Sequence, residues 1–258
     1  MHLKTDDIIR LEIEYDSGTM PPPFSHSFKL RIGFEKDFLN TRFNLQYTDR
    51  DEVTEEEIYD EGFSLDDDYN FIGEIPLVWE KPFKSLYAQS KWSNRTSLDE
   101  EGGIKVLAKD IHGKIARTIP NNQQDWLYLA QEYIQAIYEI NKKEAPLTVR
   151  YRQVNKQGEI TDFELTVKFS IRKIELLING IPREAGWEET KPLLSAIYLP
   201  DYNYELAKEN PPTKRGAYID CGDGFWHEFG KGVINIDDSF DAASKIKDEF
   251  MKLNQHSL

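Results

Sequence analysis

The densest set of reactive side chains lies in Asp220-Cys221-Gly222-Asp223-Gly224-Phe225-Trp226-His227-Glu228. A thiol, an imidazole and carboxylates on one hairpin could form a nucleophilic pair, with His227 taking the proton of Cys221 and a carboxylate such as Asp223 orienting the ring. The spacing weighs against it. Across a Gly-Asp-Gly turn, strand alternation can set Cys221 and His227 on opposite faces, and a hairpin thiol lacks the helix N-terminus that often activates one. The plainer reading is a small buried cysteine and a surface histidine.

A second concentration is electrostatic. Eleven of the twenty residues 49–68 are Asp or Glu and only Arg50 is basic, so this segment carries ten of the chain's fourteen net negative charges. Hard cations want several oxygen ligands on one short loop, which makes Asp66, Asp67 and Asp68 candidate ligands for Ca²⁺ or Mg²⁺. The three are contiguous, however, without the alternate spacing and central glycine of an EF-hand loop. Glu55, Glu56, Asp60 and Glu61 instead suit a basic protein surface, reached faster through long-range attraction. Trp187, Tyr198, Tyr202 and Tyr204, in a proline-rich stretch, are candidate interface anchors, Trp187 and Tyr202 foremost. The competing reading pins these rings to the core.

Other chemistries find no support. The histidines at 2, 26, 112, 227 and 256 are scattered, and one cysteine cannot build a zinc ribbon or a disulfide framework. Gly230-Lys231-Gly232 is too short for a phosphate loop, and no G-x-S-x-G elbow occurs. No cofactor is expected. Lys142-Lys143, Arg172-Lys173 and Lys214-Arg215 are pairs without a longer basic run, which argues against nucleic acid as the main ligand. No apolar stretch is long enough to span a membrane, and no export signal opens the sequence, so a soluble cytoplasmic protein is expected.

Strands and helices must position these groups. Residues 7–15 alternate Ile9, Leu11, Ile13 and Tyr15 with Arg10, Glu12 and Glu14, and the alternation returns around residues 28–34 and 43–47. Three such runs predict an antiparallel meander. Thr54 and Glu57 predict a capping box opening a short acidic helix that Gly62 stops. Residues 104–119 predict a hairpin turning at His112-Gly113. Trp126, Ala130, Tyr133, Ile137 and Ile140 then draw an apolar stripe along a long helix, with Asn122 as its cap. Strands resume at residues 147–178, ending in the hairpin signal Asn179-Gly180. Residues 182–216 show no period and read as an irregular excursion. The last stretch predicts a hairpin around Cys221, a strand at residues 233–236, and a second long helix capped by Asp238 or Ser239. The fold class is therefore α+β, largely antiparallel sheet with two long amphipathic helices, without a repeat of fixed period. Residues 1–120 form a β-rich region carrying the acidic insert at 49–68, and residues 121–258 an α+β region, the alternative being one continuous domain across both.

Two functional readings follow. One is a non-enzymatic interaction module whose acidic segment engages a basic protein, as an inhibitor, immunity-like protein, adaptor or assembly factor would. The alternative is a divalent-metal-dependent hydrolase in which Asp66 to Asp68 converge with Asp220, Asp223 or Glu228. Sheet edges and the proline-aromatic stretch also offer contacts for self-association.

Overall fold

The computed structural model describes residues 3–95, 97–237 and 239–255. His2, His256 and Asp238, the last offered above as a cap, lie outside them. The chain divides into two compact units, Met1–Glu144 and Ala145–Leu258.

In the first unit the alternating runs become β1 (Ile8–Asp16), β2 (His26–Phe34) and β3 (Phe38–Tyr47), followed by α1 (Glu55–Asp60), β4 (Tyr69–Pro76) and α2 (Glu80–Gln89). A hairpin of β5 (Gly103–Asp110) and β6 (Ile115–Thr118) precedes α3 (Gln123–Ile140). The sheet has the order β4-β3-β2-β1-β5-β6, and every pairing is antiparallel. Leu11, Ile13, Leu30, Ile32 and Phe43 are buried on one face. Tyr133 of α3 is buried too, its hydroxyl 2.6 Å from Thr41 Oγ1 and its ring met edge-on by Trp79 and Phe83. Trp126 Nε1 donates to Ser90 Oγ at 2.9 Å, tying α3 to the end of α2. These contacts place α3 with the first sheet, so the division falls after this helix, at Glu144/Ala145, instead of near residue 120.

The second unit comprises β7 (Leu147–Val154), β8 (Ile160–Lys168), β9 (Lys173–Ile178), β10 (Ile181–Arg183), α4 (Trp187–Ile197), β11 (Asp201–Tyr202), β12 (Gly216–Asp220), β13 (His227–Glu228), β14 (Val233–Ile234) and α5 (Ala242–Gln255). Its main sheet runs β10-β9-β8-β7-β12-β13, and β11 pairs with β14. Phe250 of α5 stacks on Tyr151 at 4.7 Å and contacts Phe163.

The two large sheets share one plan. Each is a four-stranded meander, then a helix, then a pair of strands added beside the first strand, then a helix. A repeat of fixed period is not what relates them; the topology is. One connection differs: residues 48–68 join β3 to β4, whereas Asn179-Gly180 alone joins β9 to β10. Both turn residues have positive φ (52° and 76°), as the right-handed twist of a two-residue hairpin requires.

Five helices occur among the described residues, where the patterning singles out two long ones and one short one. The stretch read as irregular contains α4, which holds Pro192 in its interior. Burial of Trp187, Leu193, Ala196 and Ile197 outweighs the hydrogen bond that proline cannot make. Glu189 also accepts from the Gly186 amide, at 2.8 Å, at the helix start. The final helix begins later than its pattern suggests. Asp241, not Ser239, accepts from the Ser244 amide, and this pairing with Asn235 holds the Asp241 carboxyl down at about 2. Asn122 reaches sideways to Asp125 and makes no side-chain cap bond.

Candidate functional site

The acidic segment is folded. Thr54 and Glu57 form the reciprocal capping box, and Ile58 is buried as the single apolar anchor of α1. The remainder is organised by Arg50, the only base in the segment. Its guanidinium lies over the Tyr47 ring at 4.0 Å and the Phe63 ring at 5.1 Å, pairs with Asp67 Oδ2 at 2.9 Å, and donates to the Ser64 carbonyl. Cation–π contact and a charge-assisted hydrogen bond on one partly buried group together fix the chain's path. Phe63 also packs edge-on against Phe24 and Tyr47.

The three consecutive aspartates take separate tasks. Burial pushes the Asp67 carboxyl up, but hydrogen bonds from Ser64 and Arg50 outweigh it and hold the group low. Asp68 accepts from the Tyr47 amide at 2.8 Å, and Asp66 is exposed. Asp220, Asp223 and Glu228 belong to the other unit. Among the described residues no group of three His, Cys, Asp or Glu side chains is gathered in a way that could hold a metal ion.

Glu55, Glu56, Asp60 and Glu61 are all exposed. Asp67 is the one carboxylate of the segment held in an ion pair among the described residues. Tyr59, Leu65 and Phe24 are also exposed, at 53%, 54% and 39%. Acid and apolar surface therefore lie side by side on an ordered scaffold.

The Cys221 hairpin has a different character. Burial pushes the thiol up to about 12, with Asp223 and Asp220 adding to the shift while the Tyr202 hydroxyl beside it opposes. His227 is buried, edge-on to Tyr202 and Tyr204 at 5.2 and 5.0 Å, and neither ring nitrogen hydrogen-bonds to a described group. Asp223 accepts from the Tyr204 hydroxyl at 2.7 Å and from the Phe225 amide, so it orients the turn and not the imidazole. Asp220 accepts from the amides of Gly222 and Gly224 and pairs with Arg150 at 3.2 Å. The nucleophile, base and orienting acid proposed from composition are thus near one another in sequence but not linked.

Of the two aromatic anchors, Trp187 is buried against Phe169, with the Arg172 guanidinium 4.9 Å from its ring. Tyr202 is half-buried and donates to the Ile197 carbonyl. Both pin the excursion to its own unit, and the exposed rings there are Tyr198 and Tyr204. Arg50 is the organising residue of the acidic segment that the patterning passes over. Its signal was its isolation as one base among eleven acids.

Two further absences are simple. No helix among the described residues is long and apolar enough to cross a membrane. Compared with protein-family models, with curated proteins and with solved structures, the chain matches none.

Proposed function

We propose that the chain is a non-enzymatic interaction module whose acidic insertion engages a basic surface on a protein partner, in the manner of an inhibitor, immunity-like protein, adaptor or assembly factor. One observation carries the reading. The second unit closes the equivalent hairpin with Asn179-Gly180, so the architecture does not need residues 48–68, and a long ordered connection that the fold can do without is where function concentrates. The order imposed by Arg50 supports it further, because carboxylates held in place lose less entropy on binding than those on a mobile tail. Exposed Tyr59 and Leu65 supply the apolar contact that an interface needs beside its charges.

The test uses the full chain as bait in affinity capture from the source lysate, at low and high salt, with mass spectrometry of the retained proteins. Exposed charges are screened beyond about 8 Å at physiological ionic strength, so a basic partner should be released at high salt. Substituting Glu55→Gln, Glu56→Gln, Asp60→Asn and Glu61→Gln together should weaken that partner about tenfold or more at low salt, each exposed charge contributing up to ~1 kcal/mol. Equal retention by the substituted protein, or no basic partner at either salt, rejects the reading.

A further inference from the structure

The exposed face of the first sheet is cationic in a chain whose net charge is −14. Cross-strand register shows why. One row across the sheet sets Lys109 beside Arg10, then Gly33, then Asn40; the next sets Glu12 beside Arg31, and Arg31 directly opposite Arg42. Arg117 follows at the sheet's other edge, paired with Leu107. Like charges directly opposite one another on antiparallel strands destabilise the pair.

The local carboxylates do not cancel this charge. Glu12 lies 3.1 Å from Arg10 and 3.6 Å from Arg31 and is the one carboxylate within ion-pair distance of either among the described residues, while Lys29 is taken mainly by Glu14 at 2.9 Å. The Nε of Arg10 is buried and makes no hydrogen bond, even with Glu12 so near. Among the described residues neither Arg42 nor Lys109 has a carboxylate within ion-pair distance.

The second unit provides an internal contrast, since its sheet has the same strand order. There Arg150 stands opposite Glu164 and Asp220 and pairs with both, and Arg152 stands opposite Asp162 at 2.7 Å. The same architecture thus neutralises its arginines in one unit and leaves them facing one another in the other. Around Gly33, where the missing side chain leaves a floor, lies a depression of about 230 Å³ lined by Arg10, Arg31, Arg42, Lys109 and Asn40, with Glu35 as the one carboxylate against four bases. That is below the ≈ 300–1,000 Å³ of pockets for drug-sized ligands, so it fits an anionic headgroup and not a whole nucleotide.

We propose that this depression binds a phosphate group, with Arg10, Arg31, Arg42 and Lys109 neutralising its charge and Asn40 donating to an oxygen. Guanidinium groups match phosphate through paired N–H donors, and several converging on one anion turn their mutual repulsion into binding energy. The source is free phosphate or the phosphate of a small organic molecule, for which Ile9 at the rim offers apolar contact.

The experiment is isothermal titration of the full chain with inorganic phosphate and, separately, glycerol 3-phosphate, at constant ionic strength. Saturable binding of either at one site is expected, and the tighter of the two identifies the source. Arg42→Gln should weaken binding roughly tenfold or more, the scale of one charge-assisted hydrogen bond. Gly33→Leu should do the same without altering charge. A Cβ there meets only ordinary contacts, with Asn40 at 3.6–3.7 Å and the Glu35 carboxylate at 3.9 Å. Arg117→Gln removes an equal charge from the same face outside the depression, and should change affinity less than twofold. Arg42→Gln should also raise the thermal midpoint of the unliganded protein by removing the repulsion with Arg31, which keeps the test decisive if Gly33→Leu misfolds. No saturable binding of either anion, weakening by Arg117→Gln as large as by Arg42→Gln, or an unaffected and folded Gly33→Leu would each overturn the proposal. Tight binding of a duplex oligonucleotide that Gly33→Leu leaves intact would overturn it in favour of a polyanion surface.

Discussion

At the scale of single residues, identity says less than environment. Cys221 has the composition of a nucleophile's neighbourhood, with His227 and three carboxylates within seven positions. Its surroundings push the other way: burial first, then Asp223 and Asp220, carry the thiol from an ordinary 9.0 up to about 12. A group whose proton is held more tightly in the folded state stabilises the fold below its unfolded value, and that contribution is lost as pH rises from 9.0 toward about 12. Below that window the thiolate is scarce. At about pH 8 the folded protein should hold roughly a thousandfold less thiolate than an unperturbed cysteine, and alkylation by iodoacetamide should be at least ~100-fold slower than in denaturant. Mass spectrometry of the time course measures this directly. Alkylation of native protein at the rate of a free thiol would show an activated cysteine and reopen the nucleophile reading.

At the scale of elements, legibility follows from how local the signal is. The alternation in β1, β2 and β3 and the Thr54–Glu57 box are written in adjacent residues, and the strands and α1 appear where they are read. α4 is obscured because Pro192 speaks against a helix, while the buried contacts that maintain it are tertiary. The phosphate site is invisible in one dimension. Arg10, Arg31, Arg42 and Lys109 are isolated bases in the sequence, and only the register of four strands makes them neighbours. The acidic insert is legible in its charge, but only the second unit, which closes the equivalent hairpin with Asn179-Gly180, shows a sheet of the same order built without it. Leu45 pairs with Tyr69, the same relation that Ile178 has to Ile181 around Asn179-Gly180. Replacing residues 46–68 by Asn-Gly should therefore leave a folded protein with its sheet intact, at the cost of the Arg50–Tyr47–Phe63 cluster and the outermost β2–β3 pairs. Circular dichroism and a cooperative thermal transition would establish this. Loss of cooperative folding would mean that the segment is structural, and would remove the main support for its role as a partner surface.

At the scale of the whole molecule, the chain is one plan used twice and then specialised. Both units build a four-stranded meander with two strands returning beside the first, and most of their pairings join strands adjacent in sequence, an arrangement of comparatively local contacts. Their surfaces diverge: the first carries both the acidic insertion and the unneutralised arginines, and the second pairs its arginines off. Each unit also supplies its own covering helices, α3 over the first sheet through Tyr133 and Trp126, and α5 over the second through Phe250. This assigns α3 a decisive part. A chain ending at residue 144 retains the complete first core, whereas one ending at residue 120, where the composition first suggests a boundary, exposes the face formed by Leu11, Ile13, Leu30, Ile32 and Phe43. Losing burial on that scale removes more than the ≈ 5–15 kcal/mol by which a domain is stable. The fragment 1–144 should therefore unfold cooperatively in urea, and 1–120 should show no cooperative transition and should aggregate. If 1–120 unfolded as cooperatively as 1–144, α3 would not belong to the first unit; if neither did, the two halves would share one folding event, and the duplication would be one of topology without independent stability.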